Sequence, residues 1–239
     1  MRLTLLRHAT LLIELGGRRI LVEPMLDDPG ARPPVENSPN PRRNPLVPLS
    51  LPAEEVVRDL DAVIVTHLHR DHFDETGARL VPRDVPVFCQ PEDAARLRDL
   101  GLSARPVEDE LTWDGLRIAR TPGRHGSDDR TAEELGPVSG FVLDGLYIAG
   151  DTVWCAGVEE ALERHRPRVA VVNGSGARFL DGGLLVMSAA QVREVVERVP
   201  TVVVVHLEAI NHCPETRAEV RAAVPEALVP ENGETIELP

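Results

Sequence analysis

The chain has 239 residues, of which 42% are hydrophobic and only 3% aromatic, and it carries a formal net charge of -13. That length buries a substantial core, which Val, Leu, Ile and Ala must fill. The acidic balance argues against a duplex nucleic-acid binder, whose affinity rests on a basic surface that displaces counterions.

All 26 basic residues are arginine, which removes Schiff-base lysines and a phosphate-loop lysine together. The three cysteines, Cys89, Cys155 and Cys213, form neither a disulfide framework nor a Cys-x-x-Cys zinc pattern. With no signal-peptide pattern and no apolar run near the ~20 residues of a membrane span, a cytoplasmic protein is expected.

In chain order, Leu3 to Leu6 and Leu11 to Leu15 read as strands, and Gly16-Gly17 turns the chain into a third, Arg19 to Glu23. Nine prolines between Pro24 and Pro52 forbid regular helix or central strand there. That stretch is expected to be a loop insertion, either a lid over a site or a disordered segment. Ala53 to Leu60 reads as a short helix, Ala62 to Thr66 as a buried strand, Asp74 as the cap of a helix to Leu80, and Val85 to Cys89 as a strand. Pro91 opens a helix to Leu100.

Strands follow at 104–107, 110–113 and 116–120, then a polar stretch from Ser127 to Gly136, then strands at 138–143 and 146–149. The last third alternates helix 157–165, strand 168–172, helix 188–199 behind a Ser188-x-x-Gln191 capping box, and strand 201–205. A short helix and a final strand close the chain. The pattern predicts a single α/β domain over residues 1–239.

The strongest chemical signal is Thr66-His67-Leu68-His69-Arg70-Asp71-His72, directly after the apolar run Ala62-Val63-Ile64-Val65. Four potential ligands fall within six residues where a rigid strand gives way to a loop, and imidazole with carboxylate suits zinc, manganese or iron. Three further residues each follow a predicted strand: His125, Asp151 in Gly-Asp-Thr, and His206. Strand ends converge on one rim of a layered sheet structure, so these residues can share a site with the His-rich loop.

The series His67-x-His69-x-Asp71-His72, then His125, Asp151 and His206, resembles the metallo-β-lactamase superfamily across nearly the whole chain. The resemblance implies a four-layer αββα sandwich of two mixed sheets with helices outside. It also implies two divalent metal ions, zinc first, with manganese or iron also acceptable. His67, His69 and His125 would hold one ion, Asp71, His72 and His206 the other, and Asp151 would bridge them. Arg7-His8-Ala9-Thr10 and Asp71-His72-Phe73-Asp74 are similar to the ascorbate-6-phosphate lactonase-like branch, which puts His8 near the metals.

The third motif departs from the family's commoner form, and His206, Glu208 and His212 compete for the last ligand position, with His206 favoured because it closes the apolar strand. Thr66, Asp74 and Thr152 are expected to fix ligand orientation, and Arg70, Arg124 and Asn173 to touch substrate.

A metal lowers the pKa of bound water to roughly 7, so hydroxide is on hand at neutral pH, with Asp71 placed to orient it and relay a proton. The expected function is therefore a metal-dependent hydrolase acting on a small ester, lactone, amide or phosphoester. The expected partner is a small-molecule substrate, anionic ones included, with neither nucleic acid nor membrane. The alternatives are a metal-binding, non-catalytic or regulatory protein of the same fold, and a phosphodiesterase or nuclease.

Overall fold

The computed structural model describes residues 1–38 and 40–239; Pro39, within the proline-rich segment, lies outside the described residues. Strands β1 (Arg2–Arg7), β2 (Thr10–Leu15), β3 (Arg18–Val22), β4 (Ala62–Val65), β5 (Pro86–Cys89) and β6 (Ser103–Pro106) form one sheet. Strands β7 (Glu110–Trp113), β8 (Leu116–Pro122), β9 (Ser139–Leu143), β10 (Leu146–Ile148), β11 (Val169–Asn173) and β12 (Thr201–Val205) form a second. The chain then returns to the first sheet, where β13 (Thr235–Glu237) pairs antiparallel with β1. Both sheets are mixed: antiparallel through the hairpins β1–β3 and β7–β10, parallel across β3–β6 and β10–β12.

Period-two alternation decides which residues face which layer. In β4, Ala62 and Ile64 point between the sheets, where they meet Leu5, Ile13, Phe141 and Val171. Val63 and Val65 point outward and are covered by α1 (Ala53–Val56), α2 (Glu75–Leu80) and α3 (Ala94–Asp99) through Val56, Ala78 and Leu97. The second sheet repeats the scheme. Val203 and Val205 of β12 face the central core. Val202 and Val204 face α5 (Ala156–His165), α6 (Ala189–Val196) and α7 (Arg217–Ala223). Each such fully buried Val, Leu or Ile contributes about 1.5–3 kcal/mol by leaving water, so runs apolar at every position specify sheets covered on both faces. The four-layer αββα sandwich is the architecture expected.

Four local expectations change. The first helix stops at Val56 instead of reaching Leu60. The polar stretch 127–136 contains α4 (Asp129–Leu135), whose first turn is capped by the Asp128 carboxylate accepting from Thr131 N at 2.9 Å. No residue of that helix is buried, so it has no apolar stripe to betray it. Ser188 makes no capping hydrogen bond; Gln191 instead accepts from the Trp154 amide at 3.2 Å. A capping box forms at Thr216 and Glu219, before α7.

The proline-rich segment is a pinned wall. The fully buried Arg7 guanidinium donates to the carbonyls of Met25 (2.7 Å) and Val47 (3.1 Å). Leu46 N donates to Ala209 O at 2.8 Å. The Asn211 carboxamide accepts from Val35 N (2.9 Å) and from the Asn44 side chain (2.7 Å), and donates to Asn40 O (2.6 Å), Val35 O (3.1 Å) and Ser38 Oγ. A loop without regular structure satisfies its backbone groups through these side chains.

Candidate metal centre

Seven strand ends or turns deliver side chains to one rim. The β1–β2 turn supplies His8, the end of β3 Glu23, and the end of β4 the His67–His72 loop. β8 supplies His125, β10 Asp151, β11 Asn173 and β12 His206. Gly150 lets β10 run close to that loop: its φ is +67°, and a Cβ there would lie 2.9 Å from Thr66 Cβ. Two backbone bonds lace the rim across the sheets, Ser139 N to Thr66 O (3.4 Å) and His206 N to His8 O (2.9 Å).

The fully buried Asp151 carboxylate lies between two groups of imidazoles. Its Oδ2 is 3.5 Å from His125 Nε2 and 3.9 Å from His67 Nε2. Its Oδ1 is 3.2 Å from His72 Nε2 and 3.3 Å from His206 Nε2. His69 joins the first group, since one ligand atom each from His67, His69 and His125 lies within 4.8 Å of the others. Asp71 joins the second, with Oδ2 3.7 Å from His206 Nε2.

Each of these imidazoles is turned by a partner on its far nitrogen. His67 Nδ1 donates to Thr66 Oγ1 (3.0 Å), His125 Nδ1 to Leu185 O (2.9 Å), His206 Nδ1 to Ser175 Oγ (3.1 Å) and His69 Nε2 to Leu135 O (3.1 Å). His72 Nδ1 donates to the Glu23 carboxylate, which also accepts from Thr66 N at 2.7 Å. Partners of this kind fix the tautomer and raise ligand basicity. The inward nitrogens of His67, His72 and His206 are buried with no hydrogen-bond partner among the described residues. Buried, unpartnered nitrogens aimed at shared carboxylates are the donor set a divalent cation satisfies.

The charges agree. Burial, with His72 and His69 nearby, pushes the His67 imidazole well below its ordinary value, and burial also lowers His125; neutral imidazole is the ligating form. Burial opposes charge on Asp151, yet His206 and His72 outweigh it and hold this carboxyl well below the carboxylate range. Asp71 is likewise held low, against burial, by His8, His72 and His212. In return, Asp151 and Glu23 overcome burial to raise His72 well above the usual value, and Asp151 and Cys213 push His206 up to about 10. Without a cation, protons on His72 and His206 balance the carboxylates.

A cavity of about 390 Å³ opens on this rim. His69, Asp71, His125 and Asp151 form its floor, and Pro33, Pro34, Val35, Leu135, Phe179 and Ile210 give it apolar walls. His212 lines it too, 6.2 Å from the His206 ring between centroids, so of the two it is His206 that faces both carboxylates.

Several expected roles change. Asn173 donates to Asp151 Oδ1 at 2.6 Å and positions that carboxylate, with no place in the cavity lining. Arg124 is drawn off to Asp129 Oδ1 (2.7 Å) and Gly126 O (3.1 Å), and also lies outside the lining. Asp74 caps α2 and accepts from Asp27 N (2.7 Å), while Thr152 accepts from Arg124 N (2.9 Å); neither hydrogen-bonds one of the converging side chains. Arg70 does line the cavity. Glu23 and Ser175 were not legible as site residues, because a lone Glu after a strand and a Ser in a Gly-Ser-Gly turn carry no pattern.

Residues 18–209 match the family model described as the beta-lactamase superfamily domain. The chain is 33% identical to UPF0173 protein YddR of Bacillus subtilis, over 98% of this chain and 99% of that one. It is 29% identical to a UPF0173 metal-dependent hydrolase of Methanosphaerula palustris, over 80% and 79% of the two chains. Among solved structures, the isothiocyanate hydrolase from Delia radicum gut bacteria superposes with a TM-score of 0.93 at 36% identity, covering 100% of this chain and 99% of that one.

Proposed function

The chain belongs to the UPF0173 metal-dependent hydrolase family of the metallo-β-lactamase superfamily, and from that premise we propose that it hydrolyses small electrophilic carbon compounds bearing an apolar group, isothiocyanates first among them. What supports this reading most is the cavity, in which apolar walls end on a floor of imidazoles and carboxylates. Such a pocket favours a neutral substrate whose hydrocarbon part leaves water while its reactive carbon meets the polar floor.

His67, His69 and His125 would hold one divalent ion, and Asp71, His72 and His206 the other, with one Asp151 oxygen toward each. The imidazole-rich donor set favours zinc, and it also accepts manganese or iron. Bound there, the ions supply a Lewis acid and a water acidic enough to ionise near neutral pH.

The chain's own residues do the rest. Asp71, ionised and on the cavity floor, orients the attacking water and carries its proton toward the substrate nitrogen. For an isothiocyanate, the water oxygen bonds to the central carbon and the proton goes to nitrogen. The resulting thiocarbamate splits into an amine and carbonyl sulfide. Phe179, Ile210 and the Pro33–Val35 wall exclude bulk water and hold the substituent.

An anionic substrate is less well served by this cavity. Of the two guanidiniums in the lining, Arg32 is taken up by Asp27 Oδ2 (3.0 Å) and Asp74 Oδ2 (3.8 Å), which leaves Arg70, exposed at the rim, as the cation an acidic group would meet. Lactones and esters react by the same addition at carbon, and the resemblance to ascorbate-6-phosphate lactonase-like hydrolases keeps them on the substrate panel. We place this chemistry in the cytoplasm, where three free cysteines stay reduced. No helix among the described residues is long and apolar enough to cross a membrane.

The test is metal content by mass spectrometry, followed by amine release from benzyl isothiocyanate beside a lactone, an ester and a phosphodiester. Metal-loaded protein should turn over the isothiocyanate, and chelated protein and Asp71→Ala should not. A fully loaded protein inert toward the whole panel would sink the hydrolase reading.

A further inference from the structure

One fully buried imidazole is left without a task by the ligand set above. His8 is 0% exposed, and neither of its ring nitrogens has a hydrogen-bond partner among the described residues. A structural histidine in a tight turn usually bonds its ring to a nearby carbonyl; among the described residues this ring bonds none. Its Nε2 instead lies 3.5 Å from Asp71 Oδ2, the same oxygen that His206 Nε2 approaches to 3.7 Å. One ligand atom from each of His8, Asp71, His72 and His206 lies within 4.8 Å of the others. The His8 and His206 rings pack with centroids 3.6 Å apart.

The backbone is bent to achieve this. His8 has φ +59° and His206 φ +70°, in the left-handed region that non-glycine residues seldom enter. The bond from His206 N to His8 O locks the two together. Strain of this sort persists where the surroundings over-determine it, and it clusters at functional sites.

We propose that His8 is a metal ligand, completing the second site with Asp71, His72, His206 and Asp151. The proposal rests on the two-metal reading and makes the two ions unequal. The first has three imidazoles and Asp151, and two of those imidazoles, His69 and His125, line the cavity. The second has five protein ligands, of which Asp71 and Asp151 line the cavity and the three imidazoles do not. The first ion would then keep more of its coordination free for water or substrate, while the second, held by more protein ligands, would exchange more slowly.

The experiment is metal stoichiometry and affinity, measured on wild type, His8→Asn and His8→Gly reloaded with zinc after chelation. Both replacements tolerate a positive φ, and circular dichroism of each reports folding. Wild type should bind two equivalents, and each folded variant should keep one while its second weakens at least 100-fold. Folded variants that bind two equivalents with wild-type affinity overturn the role of His8 and leave the two-metal reading standing. A wild-type protein that takes up one equivalent or fewer overturns both.

Should neither variant fold, zinc-loaded wild-type crystals decide the matter. An anomalous peak about 2.0–2.1 Å from a His8 nitrogen supports the proposal. A second-site peak that leaves His8 out of its coordination sphere overturns it.

Discussion

Glu23 accepts a hydrogen bond from His72 Nδ1, and the bond joins the end of β3 to the loop after β4. Glu23 sits at φ +50° and also accepts from the Thr66 amide and hydroxyl, so one carboxylate sets both the loop and the imidazole. Replacing Glu23 by Gln is expected to lower metal affinity 10–100-fold, the usual effect of removing such a partner, while the protein still folds. Competition with a chromophoric chelator measures it; an unchanged affinity would make Glu23 a loop anchor only.

Among the described residues, Asp151 is the carboxylate that faces both imidazole groups. In Asp151→Ala, His67, His72, His125 and His206 face each other without an intervening charge. Removing one partner from a buried ionic cluster costs about 3–5 kcal/mol, and urea unfolding of the metal-free protein should register a loss of that order. Metal content of the same variant should fall to trace.

The pH dependence follows from His206. Its folded-state pKa, pushed up to about 10, lies above the ~6.5 of an unfolded chain. The contact with Asp151 therefore adds stability in full below about pH 6.5 and loses it as pH rises through about 10. Melting temperatures of the chelated protein should fall between pH 7 and 10, and less so in His206→Asn. Metal must displace the same proton, so uptake at pH 7 should release protons, read by calorimetry in two buffers of different ionisation enthalpy.

Asn211 anchors the proline-rich wall mainly through its side chain, with its amide N donating to Asn44 Oδ1 at 3.0 Å, and it is none of the residues that converge on Asp151. Asn211→Ala removes that anchor and leaves the Val35 and Asn40 groups unpaired, a loss of about 2–3 kcal/mol. The variant should keep its metal and show a raised KM with kcat less affected, because the wall binds the substrate without touching the reacting carbon.

Much of this was legible in the amino-acid order. His67 to His72 fall within one short loop, and apolar runs such as the four valines at 202–205 announce sheets buried on both faces. His125, Asp151 and His206 could be grouped because each follows a strand, and strands end at rims. The supporting residues could not be found that way. Glu23, Ser175 and Asn211 matter only through what they meet in space, and Asn173, expected beside substrate, instead steadies Asp151. Helix α4 was hidden because it buries nothing. The wall from Pro33 to Val35 was undetermined because prolines state what a segment cannot form and leave open what will hold it.

The backbone bond from His206 to His8 joins residues near opposite ends of the chain. The His67–His72 loop, by contrast, is contiguous and is made early in synthesis. A growing chain therefore offers a cation four donors long before His125, Asp151 and His206 exist, and the finished centre needs both sheets closed. Loading should be biphasic during refolding: weak, rapidly exchanging capture by the local loop, then retention on the timescale on which His206 docks against His8. Stopped-flow metal uptake beside far-UV signal would resolve the two steps, so the metal itself reports when β12 is home.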